Sequence, residues 1–306
     1  SEMCIRDRYY NKYSVDLLAA INGSPTQGFG YTTLMTNNGK MVNRGVEITL
    51  SGEIIRQKDF SWNASLLYAF NRNKVKHISV QPSLWDSRIS MPTSYPMVGK
   101  PLYGIYAYKW AGLNENGDPQ VYDAENNVTS GPARDYHALV YCGTTVPIHN
   151  ASLTNVLRYK GFEFSAMLIL DAGHKLRSSN IPSINMSNGR ITSTAKGIVD
   201  RWTQPGDVTD VPRLLFSNDT ENFNTHRTEL YRYSDLFVYD ASNIRLSNIS
   251  LAYRVPAHWC KKISLSGARL QFNVENVATF AFDSKANYDL GGKVKPNYVW
   301  GLYLNF

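Results

Sequence analysis

Histidine, cysteine and serine side chains that could do chemistry are present in this sequence, but none has the spacing that a familiar reaction requires. The chain contains no G-x-S-x-G, P-loop, H-E-x-x-H or dinucleotide-binding pattern. Metal-ligand spacing is missing among its histidines and cysteines, which are His77, His137, His149, His174, His226, His258, Cys4, Cys142 and Cys260. We therefore predict a protein that is not an enzyme, with no catalytic residue, no cofactor and no metal site.

The segment Asn114–Asp118 places oxygen-bearing side chains around Gly117, with Asp123 and Glu125 beyond it. This arrangement partly matches a calcium-binding loop, but the bidentate acid at the twelfth position is missing. Asn, Gly and Asp are also the usual residues of a tight turn. A plain turn is the favoured interpretation, and calcium is the alternative.

Aromatic residues in the long loops are the other candidates for binding. Their rings could stack on sugars or line an interface with a partner protein. The candidates are Trp85, Tyr95, Tyr103, Tyr106 and Trp202. Packing of these rings among the loops themselves is the alternative interpretation.

Composition excludes two classes of protein. The net charge of +7 comes from 32 basic and 25 acidic residues without a basic block, which argues against nucleic-acid binding. The longest apolar run, Ala166–Leu170, is far shorter than the roughly 20 residues of a membrane-spanning helix. A mean hydropathy of −0.33 is still compatible with a transmembrane barrel, because barrel strands alternate lipid-facing and lumen-facing residues.

Alternation with period two predicts three antiparallel hairpins, each with one apolar and one polar face. Their strands are predicted at Asn43–Arg56 with a partner from Phe60, Ser152–Tyr159 with Phe162 to about Lys175, and Asn243–Val255 with Leu265–Val277. A change of phase predicts a bulge near Ser247 and Asn248. The convex, apolar face is predicted to carry Trp62, Leu66, Tyr68, Phe164, Leu168, Leu270, Phe272 and Val274. The concave, polar face is predicted to carry Glu47, Asn63, Glu163, Arg269, Asn273 and Glu275.

Short turns and long irregular stretches alternate along the chain. The short turns are Gln57–Asp59, Lys160–Gly161 and Ala257–Ser264, and the long segments are Val75–Asn150, Leu176–Ser242 and Ala278–Asn297. This alternation is typical of outer-membrane barrels. The fold class predicted is all-β, an antiparallel transmembrane β-barrel fragment of about eight to ten strands, with open edges near Tyr9 and Phe306.

The two ends of the chain carry separate predictions. Ser1–Arg8 shares no pattern with the rest of the sequence and is predicted to be a non-native sequencing scar, so that the barrel part is residues 9–306. The final segment, Tyr298–Phe306, has apolar residues at alternate positions. Its Gly301, Leu304 and Phe306 are predicted to form the signal by which outer-membrane proteins are inserted. An ordinary edge strand is the alternative.

Several segments, in order along the chain, resemble the C-terminal third of SusC/RagA-type TonB-linked outer-membrane transporters. They are YNKYSVDLLA from Tyr9, SPTQGF from Ser24, NRGVEITL from Asn43, FSWNASLLYAFNRNKV from Phe60, GKPLYGIYAYKWAG from Gly99, RYKGFEF from Arg158, RWTQPGDVTDVPRL from Arg201, ASNIRLSNISLAYRVP from Ala241, LQFNVENVATF from Leu270 and the final Gly301–Phe306. Each is only a strand pattern with a few fixed residues, so the specificity comes from their collinearity.

The resemblance implies the C-terminal strands of a 22-stranded barrel in the outer membrane of a Gram-negative cell. It implies import of glycans, oligosaccharides or peptides, with a SusD-like surface lipoprotein as lid and TonB acting through an N-terminal part outside this chain. It also implies that the short turns are periplasmic and the long segments extracellular. The alternative is a soluble or adhesive β-sheet structural protein, and an outer-membrane hydrolase ranks third. The sequence does not identify the substrate.

Overall fold

The structure is a computed structural model that describes residues 3–22, 33–78, 87–131, 135–186, 194–216, 225–262, 264–290 and 295–306. Its strands are β1 Met3–Asn22, β2 Thr33–Arg56, β3 Phe60–His77, β4 Gly104–Tyr108, β5 Trp110–Leu113, β6 Pro119–Tyr122, β7 Val128–Thr129, β8 Leu139–Thr144, β9 His149–Tyr159, β10 Phe162–Ala172, β11 Lys175–Arg177, β12 Asn185–Met186, β13 Leu215–Phe216, β14 Val238–Asp240, β15 Asn243–Arg254, β16 Gly267–Ala281 and β17 Asn297–Asn305.

Helices in the described ranges are short. The α-helices are α1 Ser87–Ser90, α2 Thr225–Arg232, α3 Ala257–Lys261 and α4 Asn287–Leu290, and the 3-10 turns are Tyr136–Ala138, Lys196–Asp200, Asp235–Phe237 and Ser284–Ala286. None of the helices in this part of the chain has the length and apolar character needed to cross a bilayer.

Eight of the strands form one antiparallel sheet in the order β1-β2-β3-β9-β10-β15-β16-β17. The prediction of eight to ten strands in an open sheet, with β1 and β17 at the edges, is confirmed. All three predicted hairpins lie in this sheet as β2-β3, β9-β10 and β15-β16. Every hydrogen-bonded pair in the sheet joins strands that are successive among these eight, so the chain runs through the sheet as a meander.

Several strands extend further than the apolar alternation predicted, whereas β10 ends at Ala172, before its predicted end near Lys175. β2 begins at Thr33 rather than Asn43, and β3 continues to His77. β16 continues to Ala281 instead of ending at Val277. Hydrogen bonds to the neighbouring strand stabilise a strand whether or not one face is apolar, so pairing continues into segments where the alternation has ended.

The predicted bulge is confirmed at Ser247. Asn248 pairs with Met167 and Leu246 with Leu168, so Ser247 has no partner on β10. The same residue is skipped in the pairing with β16. The extra residue brings Leu246 and Ile249 onto one face despite their odd spacing.

At the amino end, β1 pairs with β2 from Met3, opposite Gly52, to Asn22. The register therefore includes most of Ser1–Arg8. It also places Asp7 opposite Ile48, on the face of the sheet that is apolar on the other strands. A carboxylate on that face would be poorly suited to contact with lipid. A non-native origin of Ser1–Arg8 stays a prediction.

The two longest loops differ from the irregular stretches that the sequence predicted. Together they form a small folded unit, which we call the cap, from the described parts of residues 87–146 and 175–240. One apolar core joins Tyr106, Tyr108 and Val121 of the first loop to Leu230 of the second. A second core contains Ile184, Tyr231 and Phe237. Trp110 packs against both cores, so the two loops fold as partners rather than as separate connections.

Candidate functional site

The candidate site is the polar face of the eight-stranded sheet together with the cap above it. Residues that pair across neighbouring strands share one face of a sheet. Asn63, Val156, Ser165, Ser250 and Asn273 form one such row across five strands. The register confirms the predicted division of residues between a polar and an apolar face.

The polar face is built mainly from hydroxyl and amide side chains. It lines a recess of about 710 Å³ whose wall includes Ser51, Asn63, Ser65 and Thr154. Near the short turns, Glu163 accepts hydrogen bonds from Arg158 at 2.8 Å and from Arg269 at 3.1 Å. Such a surface is wetted easily and can hydrogen-bond polar cargo, which fits the interior of a channel.

The opposite face carries a continuous apolar band. Leu50, Leu66, Leu153, Leu168 and Leu246 are successive cross-strand partners over five strands. The band is open to the surroundings: Leu168 is 37% exposed, and on the last strand Trp300 is 78% exposed. Water-soluble monomers rarely expose an apolar surface of this extent, so the band is suited to lipid.

Two polar side chains on the apolar face find partners there. The Trp62 indole donates to Asn155 Oδ1 at 3.1 Å. The Tyr68 hydroxyl and His149 Nδ1 share a hydrogen bond at 2.8 Å. Since an unsatisfied polar group in hydrocarbon costs several kcal/mol, these pairs make Asn155 and His149 tolerable on a lipid-facing surface. Neither residue was predicted on this face from the sequence.

The predicted aromatic contact residues are distributed between the core and the surface of the cap. Tyr106 is 1% exposed, and its hydroxyl accepts a hydrogen bond from the Met97 amide at 3.2 Å. Burial raises the pKa of this phenol. Tyr103 is 46% exposed, whereas Tyr95 and Trp202 are half-buried. Trp85 lies outside the described residues.

In the acidic turn that partly resembled a calcium loop, the side-chain oxygens of Asn114 and Asp118 are engaged by the protein itself. The Asn114 side chain accepts from the amides of Asn116 and Asp118, both at 2.9 Å. The Asp118 carboxylate accepts from Arg213 at 2.8 and 3.1 Å and from Arg227 at 3.0 Å. The favoured interpretation, a turn, therefore describes the β5-β6 connection.

This Asp118–Arg213–Arg227 network joins the two loops of the cap. Arg227 is 2% exposed and also donates to the carbonyls of Ile184 and Arg213. Burial lowers the pKa of its guanidinium, and the nearby Asp118 carboxylate opposes that shift. Arg213 and Arg227 could not be found from the sequence, since they lie about a hundred residues from Asp118 and follow no motif.

The position of the Trp202 indole depends on the absence of a side chain at Gly117. The glycine has a φ of +73°, and a Cβ there would lie 2.4 Å from Cδ2 of Trp202. We expect Gly117→Ala to push the indole off the turn and to weaken the bond from the Arg213 amide to the Gly117 carbonyl, which is 3.0 Å long. Hydrogen exchange at Arg213 and Trp202 should rise at least tenfold.

Gly112→Ala is the matched control, because Gly112 also has a positive φ of +98° but open space around a Cβ. It carries the same kind of backbone strain, about 1–2 kcal/mol, without the clash. Equal exchange at Arg213 in both variants would show that strain alone matters and that Trp202 does not depend on the glycine.

Metal-ligating side chains are not clustered in the described ranges. No cluster of three or more His, Cys, Asp or Glu residues is found there. Burial raises the pKa of the Cys142 thiol to about 11, so the thiolate is scarce at neutral pH.

The last strand contains the three residues of the predicted insertion signal. Gly301 pairs with Gln271 and Leu304 with Ala268 on β16. Phe306 follows the strand, is 92% exposed, and accepts a hydrogen bond from Ser266 Oγ at 3.3 Å through its carbonyl. Recognition of these residues by an insertion machinery stays a prediction.

Comparisons with known proteins agree with this architecture. No protein-family model matches the chain. TonB-dependent receptor P3 of Formosa agariphila is 24% identical over 294 residues, covering 89% of this chain and 28% of the receptor. TonB-dependent receptor SusC of Bacteroides thetaiotaomicron is 23% identical over 284 residues, covering 88% of this chain and 26% of SusC. The chain thus spans about a quarter of the length of these relatives.

Among solved structures, a chain of the RagAB peptide transporter superposes with a TM-score of 0.73 at 21% identity, covering 99% of this chain and 33% of that one. The chain is a relative of TonB-dependent receptors, SusC among them. Its eight-stranded sheet and cap have the fold of the corresponding part of the transporter barrel.

Proposed function

We propose that this chain forms part of the wall and the extracellular cap of an outer-membrane, TonB-dependent nutrient transporter. The supporting observation is the sheet itself, which has a lipid-compatible band on one face and a hydrophilic recess on the other. The relatives are receptors and a transporter, which argues in the same direction. Cargo would pass along the polar face while the apolar face contacts the bilayer.

The proposed cargo is a glycan, an oligosaccharide or a peptide, taken up together with a SusD-like surface lipoprotein. TonB would act through a part of the transporter outside this chain. Hydroxyl and amide groups on the polar face can exchange hydrogen bonds with either kind of cargo. Tyr95, Tyr103 and Trp202 remain proposed contact residues in the cap, whereas the burial of Tyr106 assigns its ring to the core.

Cell fractionation tests this proposal against a soluble or adhesive β-sheet protein. The full-length protein should sediment with the outer membrane, resist extraction by salt and carbonate, and dissolve only in detergent. It should also copurify with a lipoprotein encoded beside it. Recovery in the soluble fraction without detergent would exclude the transporter.

Orientation provides a separate prediction. All three short turns lie at one end of the sheet and the cap connections at the other, so the two ends should face opposite sides of the membrane. A specific protease site inserted at Gly206, in open space on the cap, should be cut on intact cells. The same site inserted at Lys58, in the exposed turn between β2 and β3, should be cut only after lysis. The reverse pattern would invert the topology.

A further inference from the structure

A group of four cations lies on the apolar side of the sheet, at its cap end. Arg44 of β2 and Arg72, Lys74 and Lys76 of β3 line a recess of about 400 Å³. All four side chains are exposed, while Asn71, Asn73 and Val75, which alternate with them, are more enclosed. Val42, Phe70, Asn73, Gly99 and Pro101 complete the wall, which contains no acidic residue. We call this group the basic recess.

The charges in the basic recess are not compensated by the described part of the protein. Arg44 and Arg72 are directly opposite each other across β2 and β3, an arrangement of like charges that destabilises a sheet. In the described ranges none of the four residues forms an ion pair, and the single hydrogen bond from these side chains runs from Arg44 Nε to Asn11 Oδ1 at 3.1 Å. An anion bound between them would remove the repulsion.

The wall of the recess is held in place by backbone hydrogen bonds. The Gly99 amide donates to the Val75 carbonyl at 2.8 Å, and the Val75 amide donates to the Lys100 carbonyl at 3.0 Å. The segment 99–101 therefore lies alongside β3 at the level of Lys74. The recess is thus a shaped feature with one side formed by the cap, and not only a row of side chains on a strand.

The height of the recess matches the outer surface of the membrane. On β3 the lipid-facing side chains run from Trp62 near the short turn to Phe70, followed by Arg72 and Lys74. With a rise of about 3.3 Å per residue and a tilt of about 40°, Lys74 lies about 30 Å above Trp62 along the membrane normal. The apolar band of such barrels is about 25 Å tall, so the cations begin where hydrocarbon gives way to lipid headgroups.

We propose that the basic recess binds the phosphate of an outer-leaflet glycolipid, an inference that rests on the proposed function. The location favours a lipid phosphate over a free phosphate as the anion. The recess opens on the lipid-facing side of the wall and not on the polar face. Two arginines can bind a phosphate in bidentate fashion, and two lysines add point charges. The acyl chains of the lipid would lie against Phe70 and the leucine band below.

The test is native mass spectrometry of the full-length protein in detergent, titrated with lipid A. Arg44→Gln/Arg72→Gln/Lys74→Gln should weaken lipid A binding about 100-fold, since each cation near an anionic lipid surface contributes roughly fivefold. Lys58→Gln/Lys261→Gln/Lys262→Gln removes the same charge from exposed positions at the opposite end and should bind as the unmodified protein does.

Two further ligands identify the source of the anion. Dephosphorylated lipid A should bind as weakly to the unmodified protein as lipid A binds to the first variant. Inorganic phosphate at about 10 mM should not displace lipid A, because only the lipid combines the phosphate contact with acyl-chain contacts at Phe70 and the leucine band. Displacement by inorganic phosphate, or equal binding of the dephosphorylated lipid, would overturn the proposal.

Failure of the lipid site can be distinguished from failure of the proposed transporter function. A protein that fractionates with the outer membrane but binds lipid A equally with and without the three cations contradicts only the lipid site. A protein found in the soluble fraction contradicts the transporter, and the lipid site with it.

Discussion

Leu168→Arg is expected to abolish assembly of the proposed transporter barrel in the outer membrane. Leu168 lies between Leu153 and Leu246 in the leucine row of the apolar face. A guanidinium at mid-membrane costs about 2–4 kcal/mol, a large fraction of the stability that most proteins have. Heat-modifiable migration in gels and protease resistance of the membrane fraction should both be lost.

Met167→Arg is the matched control, because Met167 precedes Leu168 on the same strand and lies at the same depth on the other face. Its cross-strand partners are Thr154 and Asn248, so an arginine there lies on the polar face of the sheet. This variant should assemble normally. Equal loss or equal tolerance of the two substitutions would refute the assignment of the faces.

Asp118→Asn is expected to unfold the cap while the sheet remains intact. The substitution keeps the shape of the side chain but removes the charge that compensates Arg213 and the buried Arg227. Removing one partner of a buried ion pair costs about 3–5 kcal/mol, and the partial exposure of Asp118, 22%, lowers this to about 2–3 kcal/mol. Hydrogen exchange should accelerate by more than tenfold throughout both cap cores.

Asp123→Asn is the corresponding control, since among the described residues the Asp123 carboxylate accepts hydrogen bonds only from Asn127, four residues along the chain. It removes an equal charge from the next turn of the same three-stranded sheet, β5-β6-β7, without affecting the contact between loops. Amides of β9 and β10 should exchange slowly in both variants. Uniform acceleration in cap and sheet would mean that they unfold as one unit.

The predictions for Leu168→Arg and Asp118→Asn differ in how well the sequence alone supports them. The face of Leu168 follows from period-two alternation within β10, because successive side chains of a strand point to opposite sides. The same local rule placed Trp62, Phe164, Phe272 and their polar neighbours correctly. The change of phase after Leu246 was likewise enough to find the bulge at Ser247.

The cap could not be predicted by the same local rule. Tyr106 looked like an accessible ring in a Gly- and Pro-containing loop, but Leu230, far along the chain, helps to bury it. Asp118 looked like a turn residue, and nothing near it in sequence indicates Arg227. The basic recess depends on the register that sets Arg44 opposite Arg72.

The sequence by itself determined the elements of the sheet, their two faces and the alternation of short and long connections. These properties depend on residues within a few positions of one another, whose alternation and turn chemistry can be read directly. Tertiary structure alone decided which loop residues are buried, which charges are paired and which cations lie together in the basic recess. Those outcomes depend on contacts between distant segments, and the free energy that selects them comes from burial and charge compensation that no local pattern records.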